Sequence, residues 1–301
     1  MNEKRLRTAL SLCALALLLL SAVILISAFF FPDGFIKDVL LLTHHTVQRP
    51  RIFGAFHLIS LALCIALTVA VFIFHKKLPR RYLDLTVFSS GVVLLLLEVY
   101  KQLYHHLVLG NGHYNFGILP LQFCSYSLYL FLTVPLLPEG KIKRTLYSFC
   151  ALYQVMGGCI VMGYPTLYKE LPLSIHTMLW HTVMIATGVL ILKKMNFGKR
   201  FFGELLPSTV VFLITAAVAV SLNFLLTPYT ANSSSPLNLF YMSPYQSNNY
   251  ILISQVRNAL GWLPSLLCYL LLFILVGAPL VWLVAWLTKS RASVENETHR
   301  R

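Results

Sequence analysis

Cys124, His181 and Glu98 are the residues of this chain whose side chains could do chemistry together. Each sits within a long apolar segment. A thiol facing an imidazole in a dry cavity is a nucleophile with its base. A carboxylate beside that imidazole orients it or stabilises its charge, as the third group of a triad does. Acyl transfer is the reaction such a set serves, provided donors also stabilise the developing oxyanion. For that task the sequence offers Asn223 in a late apolar segment, and Asn249 and Tyr250 in a polar loop. Gln122, two residues from Cys124, is expected to point elsewhere on its helix.

The elements that must position these groups are membrane-spanning helices. The chain has 301 residues, 57% hydrophobic and 11% charged, with mean hydropathy +0.73. A soluble domain carries roughly 25% charged residues. Apolar runs of about 20 residues recur along the whole length, as spanning helices require. Eight are read: 8–31, 52–75, 83–106, 116–137, 145–165, 173–193, 204–227 and 262–288. Hydrocarbon offers backbone groups no partner, so these segments must be helical. The expectation is an all-α, single transmembrane domain over 1–301. Residues 1–51 form a first helix and outer loop, 52–288 a helical core, and 289–301 a tail. The run at 8–31 is longer than a signal-peptide core and no A-x-A site closes it, so it reads as a retained helix.

The net charge of +14 is distributed by side of the membrane. Lys4, Arg5 and Arg7 precede the first span. Lys76, Lys77, Arg80 and Arg81 follow the second, and Lys141, Lys143 and Arg144 the fourth. Lys193, Lys194, Lys199 and Arg200 follow the sixth, and Lys289, Arg291, Arg300 and Arg301 the eighth. These are 18 of the 24 basic residues, all on one side. The other side holds Lys37, Arg49, Arg51, Lys169 and Arg257. The positive-inside rule then places both termini in the cytoplasm, and no nucleic-acid partner is expected. The six cysteines all fall in predicted helices, so neither a disulfide framework nor a metal or other cofactor is expected. Asn232-Ser-Ser is a nominal glycosylation acceptor. Phosphate loops, GxSxG elbows and internal repeats are absent from the sequence.

Counting along ideal helices puts the three groups at one level. Glu98 lies eight residues before the third span ends near His106. Cys124 lies eight residues after Phe116, and His181 eight after Leu173. Each is therefore expected about 12 Å below the outer surface. Every one also has a structural reading. Glu98, Lys101, Gln102 and His105 fall on one helical stripe, where Glu98 and Lys101 neutralise each other. An unpaired charge at mid-membrane costs about 2.5–3.5 kcal/mol on insertion scales. His181 shares a face with Thr177, Met184 and Gly188, as a packed core histidine does; His176 is its competitor. Cys124, on a face with Pro120 and Ser127, reads equally as a small buried hydrophobe.

The segment Leu119-Pro120-Leu121-Gln122-Phe123-Cys124 resembles the L-P-L-x-x-C signature of the YwaF-like family of bacterial integral membrane proteins. Glu98 on the third helix, His181 before an apolar run containing Gly188, Asn249-Tyr250, and Trp262-Leu263-Pro264 follow the family pattern in order over residues 50–288. The chain departs from it at Gln122, where relatives carry His, and at Thr182, where Gly follows the histidine. The family is related to an animal transmembrane acyltransferase that remodels ether-linked phosphatidylethanolamine. The resemblance implies a bacterial cytoplasmic-membrane protein with phospholipid as substrate, a nucleophile at Cys124 and a partner at His181. Lys101, Asn223, Asn249 and Tyr250 are the expected substrate contacts. The alternatives are a small-solute transporter or channel with Glu98, Lys101 and His181 along a polar path, and a non-catalytic protein whose polar core fixes helix packing.

Overall fold

A computed structural model describes residues 3–79, 82–195, 201–231, 236–246, 251–276 and 279. The described residues form helices, and no strand is present among them beyond a single bridge between Thr46 and Glu170. In order these are α1 (Glu3–Phe30), α2 (Phe35–Thr43), α3 (Ala55–Phe74), α4 (Leu83–Leu103) and α5 (Tyr126–Thr133). Then follow α6 (Lys141–Phe149), α7 (Val155–Gly163), α8 (Leu171–Lys194), α9 (Phe201–Thr230) and α10 (Ile251–Leu260), and α11 (Trp262–Val276). Extra π-helical turns extend α4 through Leu109 and join α6 to α7 through Cys150–Gln154.

Six of the resulting helices are long and apolar enough to cross a membrane: Lys4–Phe30, Ala55–Lys77, Leu83–Leu109, Lys141–Gly163, Leu171–Lys194 and Gly203–Thr230. Phe123–Leu136 and Trp262–Val276 are apolar but shorter, and stand where the fourth and eighth spans were expected. Residues 280–288 of the expected eighth span lie outside the described residues. The short helices α2 and α10 were not foreseen. The peripheral helices α1, α3 and α9 turn leucine, isoleucine and phenylalanine outward, the surface that hydrocarbon accepts and water does not. The helices through 141–163 and α8 are the most buried and form the centre.

Close crossings rest on small residues, as in other helix pairs without a hydrophobic drive between them. A Cβ at Gly91 of α4 would meet Leu132 N and Phe131 C of α5 at 2.9 Å. These are backbone atoms, so the helices themselves would have to part. Gly91→Ala should therefore cost about 1–3 kcal/mol, the usual penalty of overpacking. A thermal shift of the detergent-purified protein checks this; an unchanged midpoint would mean the crossing is loose.

The basic end is held by ion pairs. Lys143 Nζ sits 2.5 Å from Asp84 and 2.7 Å from Glu139. Tyr147 donates to Asp84 at 2.6 Å. Arg144 pairs with Glu204, which also accepts from Ser148 at 2.7 Å. These contacts tie α4, α6 and α9 together. At the opposite end, Val47 N–H donates to Lys169 O and Leu171 N–H to His45 O, closing the loop after α2 on the loop before α8.

Candidate functional site

The end of the bundle opposite the ion-pair cluster contains a cavity of about 260 Å³. Glu98, Lys101 and His105 of the α4 helix line it, as do Cys124, His176 and His181. Thus α4, α8 and the start of α5 bring the three chemically notable residues to one space. Aromatic rings complete the wall: Trp180, Tyr168, Phe240, Tyr241, Tyr269 and Phe273.

Cys124 arrives there by a route different from the expected one. The helix does not begin near Phe116. Asn115 caps a single tight turn, accepting from Gly117 N–H at 2.8 Å. Leu119, before Pro120, is forced out of the helical region, with φ −48° and ψ 132°. Helix resumes only at Phe123. Counting 1.5 Å per residue from Phe116 is therefore invalid for Cys124, which lies in the first turn of its helix. Gln122 is extended, with ψ 156°, and it lines the same cavity as Cys124, contrary to expectation. Its side chain bonds Asn238 O and Phe240 N–H and does not cap the helix. The N–H groups of Phe123 and Cys124 consequently have no acceptor among the described residues.

Under Cys124 lies Gly157 of α7, where an added Cβ would stand 2.8 Å from the Phe123 ring and 3.9 Å from Sγ. Trp180 Nε1 donates to Cys124 O at 3.3 Å, tying this turn to α8. The thiol itself makes no hydrogen bond among the described residues, so the Cys124–His181 contact is not closed.

His181 has a defined tautomer. Its Nδ1 lies 2.7 Å from Thr177 O, and a carbonyl only accepts, so Nδ1 carries the proton. The neutral ring then has its lone pair at Nε2, which has no protein partner among the described residues. His57, by contrast, has both nitrogens engaged, with Phe53 N–H and Met162 O. His176 stacks on Trp180 with ring centroids 5.6 Å apart.

Glu98 is buried but well partnered. Lys101 Nζ lies 2.9 Å from its carboxylate, and Gln102 donates to it at 2.6 Å. Gln102 also bonds Ile118 O and accepts from Tyr114 OH at 2.9 Å each. Burial first, and the Glu98 charge second, push the Tyr114 hydroxyl up to about 12, so it remains a donor across physiological pH. Glu98 makes no hydrogen bond to His181 among the described residues, so the triad arrangement is not formed.

Asn223 does not face the cavity. Its amide bonds both Leu239 O and Leu239 N–H, at 2.9 and 2.8 Å. It is a clamp on residues 236–246, shared with Thr227 on Leu237 O, Arg257 on Ser243 O and Pro244 O, and Trp262 on Met242 O. The clamped turn holds Phe240 and Tyr241 at positive φ (56° and 57°), which costs bulky residues of order 1–3 kcal/mol each. Phe240 is thereby seated against Phe123 and Tyr126, and the turn caps the cavity. Asn223→Ala should cost about 1–3 kcal/mol, since two buried backbone groups lose their partner. It should also speed proteolysis within 236–246. Unaltered melting and cleavage would refute the clamp.

Asn249, Tyr250 and Asn232 lie outside the described residues. Trp180, Phe240 and Tyr241 escaped sequence reasoning. Adjacency to His181 is the signal that could have found Trp180; nothing marks the other two, because bulky residues at positive φ carry no sequence signature. Among the described residues no three His, Cys, Asp or Glu side chains are placed so that they could hold a metal ion together. No family model matches the chain, and no curated protein or solved structure matches it.

Proposed function

We propose that this protein is a membrane-embedded lipid acyltransferase or transacylase, working through Cys124 and His181. The observation that carries the reading is that Cys124, in the first turn of an uncapped helix, and His181, with its Nδ1 bonded to Thr177 O, line one cavity. A helix N-terminus favours the thiolate. Its free amides also serve as oxyanion donors, in place of Asn223, which is committed to Leu239. The resemblance to the YwaF-like family supports the same assignment.

The steps balance as follows. His181 Nε2 takes the Cys124 proton as Sγ attacks the ester carbonyl of a phospholipid. The tetrahedral intermediate collapses, the glycerol oxygen leaves, and Nε2–H protonates it. A lysolipid and an acyl-Cys124 thioester result. An acceptor hydroxyl then gives its proton to Nε2 and attacks the thioester. The acyl chain moves to the acceptor and the thiol is restored. Sγ and Nε2 must approach for the first step, and contacts loose without substrate commonly tighten with it.

The reading includes a topology. Basic residues crowd the end opposite the cavity, so the positive-inside rule places the cavity toward the outer leaflet, with eight spans and both termini cytoplasmic. A donor already in that leaflet is then nearer than cytoplasmic acyl-CoA. Cysteine substitutions at Lys169 and Lys77, both exposed side chains, probed with an impermeant thiol reagent in intact cells, should label only Lys169→Cys. Labelling of Lys77→Cys alone would invert the assignment. For the activity, the purified protein in phospholipid vesicles with labelled lysolipid should move acyl chains onto the lysolipid. Absence of transfer across a panel of headgroups would refute it.

A further inference from the structure

A second hollow of about 370 Å³ lies between α4 and α8, bounded by Thr43, Leu97, Tyr100, Leu171, Ile175 and His176. Its walls are almost wholly apolar. The hydroxyls of Thr43 and Tyr100 bond each other at 2.9 Å, so they demand nothing from an occupant. Ile175 and Thr43 are exposed, so the hollow is open at the outer surface of the helices.

His176 belongs to both spaces. It lines the polar cavity and the apolar groove alike. Its Nε2 is buried and makes no hydrogen bond among the described residues, an omission that ordinarily costs about 1–3 kcal/mol. The order is thus a cavity with charged and polar groups, then one polar atom without a hydrogen bond among the described residues, then an apolar groove open at the helix surface. A phospholipid has the same order: headgroup, glycerol ester region, chain.

Resting on the acyl-transfer reading, we propose that the groove between α4 and α8 holds an acyl chain of a bilayer phospholipid whose polar part occupies the cavity, with His176 at the junction. The ester region supplies the polar contact that His176 Nε2 lacks. Trp180, stacked on His176 and bonded to Cys124 O, sets the ester next to the nucleophile.

The test is photolabelling of the full-length protein in nanodiscs, with phosphatidylcholine carrying a diazirine at the end of one chain. Peptides containing Leu97, Tyr100 and Ile175 should be labelled at least ~10-fold over those containing Leu19 and Leu213, which are exposed on α1 and α9. Ile175→Trp fills the groove from an exposed position and should reduce that labelling ~10-fold; Thr43→Trp, at the mouth, is a second filler. Labelling that follows exposure alone identifies ordinary surrounding lipid and overturns the proposal. So does displacement of the label by free fatty acid but not by unlabelled phospholipid. Groove labelling without acyl transfer sustains the chain site and sinks the catalytic reading. Transfer without groove labelling does the reverse.

Discussion

Cys124→Ala should reduce acyl transfer to background, because no other described thiol lines the cavity. His181→Ala should slow transfer by roughly 10²–10⁴-fold, the usual loss with a general base. The two changes should not add, since the base acts only through the thiol. Cys124→Ala/His181→Ala should therefore match Cys124→Ala alone. Thermal midpoints near wild type would show that the variants fold. Turnover surviving in Cys124→Ala would move the nucleophile elsewhere. Full activity of His181→Ala would reduce His181 to a packing residue that bonds Thr177 O.

The largest stability effect should come from the far end. Lys143 is 2% exposed and serves both Asp84 and Glu139. Lys143→Met keeps its length but leaves the Asp84 carboxylate with Tyr147 alone among the described residues. Breaking a buried pair by removing one partner costs about 3–5 kcal/mol. The double change Lys143→Met/Asp84→Leu should recover much of that loss, because replacing both charges removes the stranded one. Thermal unfolding of the three variants in one detergent checks this. A double variant as unstable as the single would mean that packing, not charge, holds α4 to α6.

The helices were legible because hydrocarbon leaves the backbone no alternative. The stripe Glu98-Lys101-Gln102-His105 was legible for the same reason, as helical spacing alone sets its face. Cys124 was misplaced along its segment because Gly117 and Pro120 interrupt a stretch whose apolarity reads as continuous helix. The same interruption turns Gln122 toward the cavity. Asn223 was legible as a buried amide but not by partner, because that partner is the backbone of a distant turn. The turn at Phe240 and Tyr241 was invisible: its backbone is held by side chains of α9, α10 and α11, and its own residues disfavour it.

The most direct test of the central claim is intact-mass and peptide mass spectrometry of protein incubated with phospholipid and no acceptor. The thioester should then accumulate on Cys124 as an acyl adduct that hydroxylamine removes. Cys124→Ala should carry none, and adding lysolipid should discharge it. An unmodified Cys124 under conditions where transfer proceeds would contradict the account.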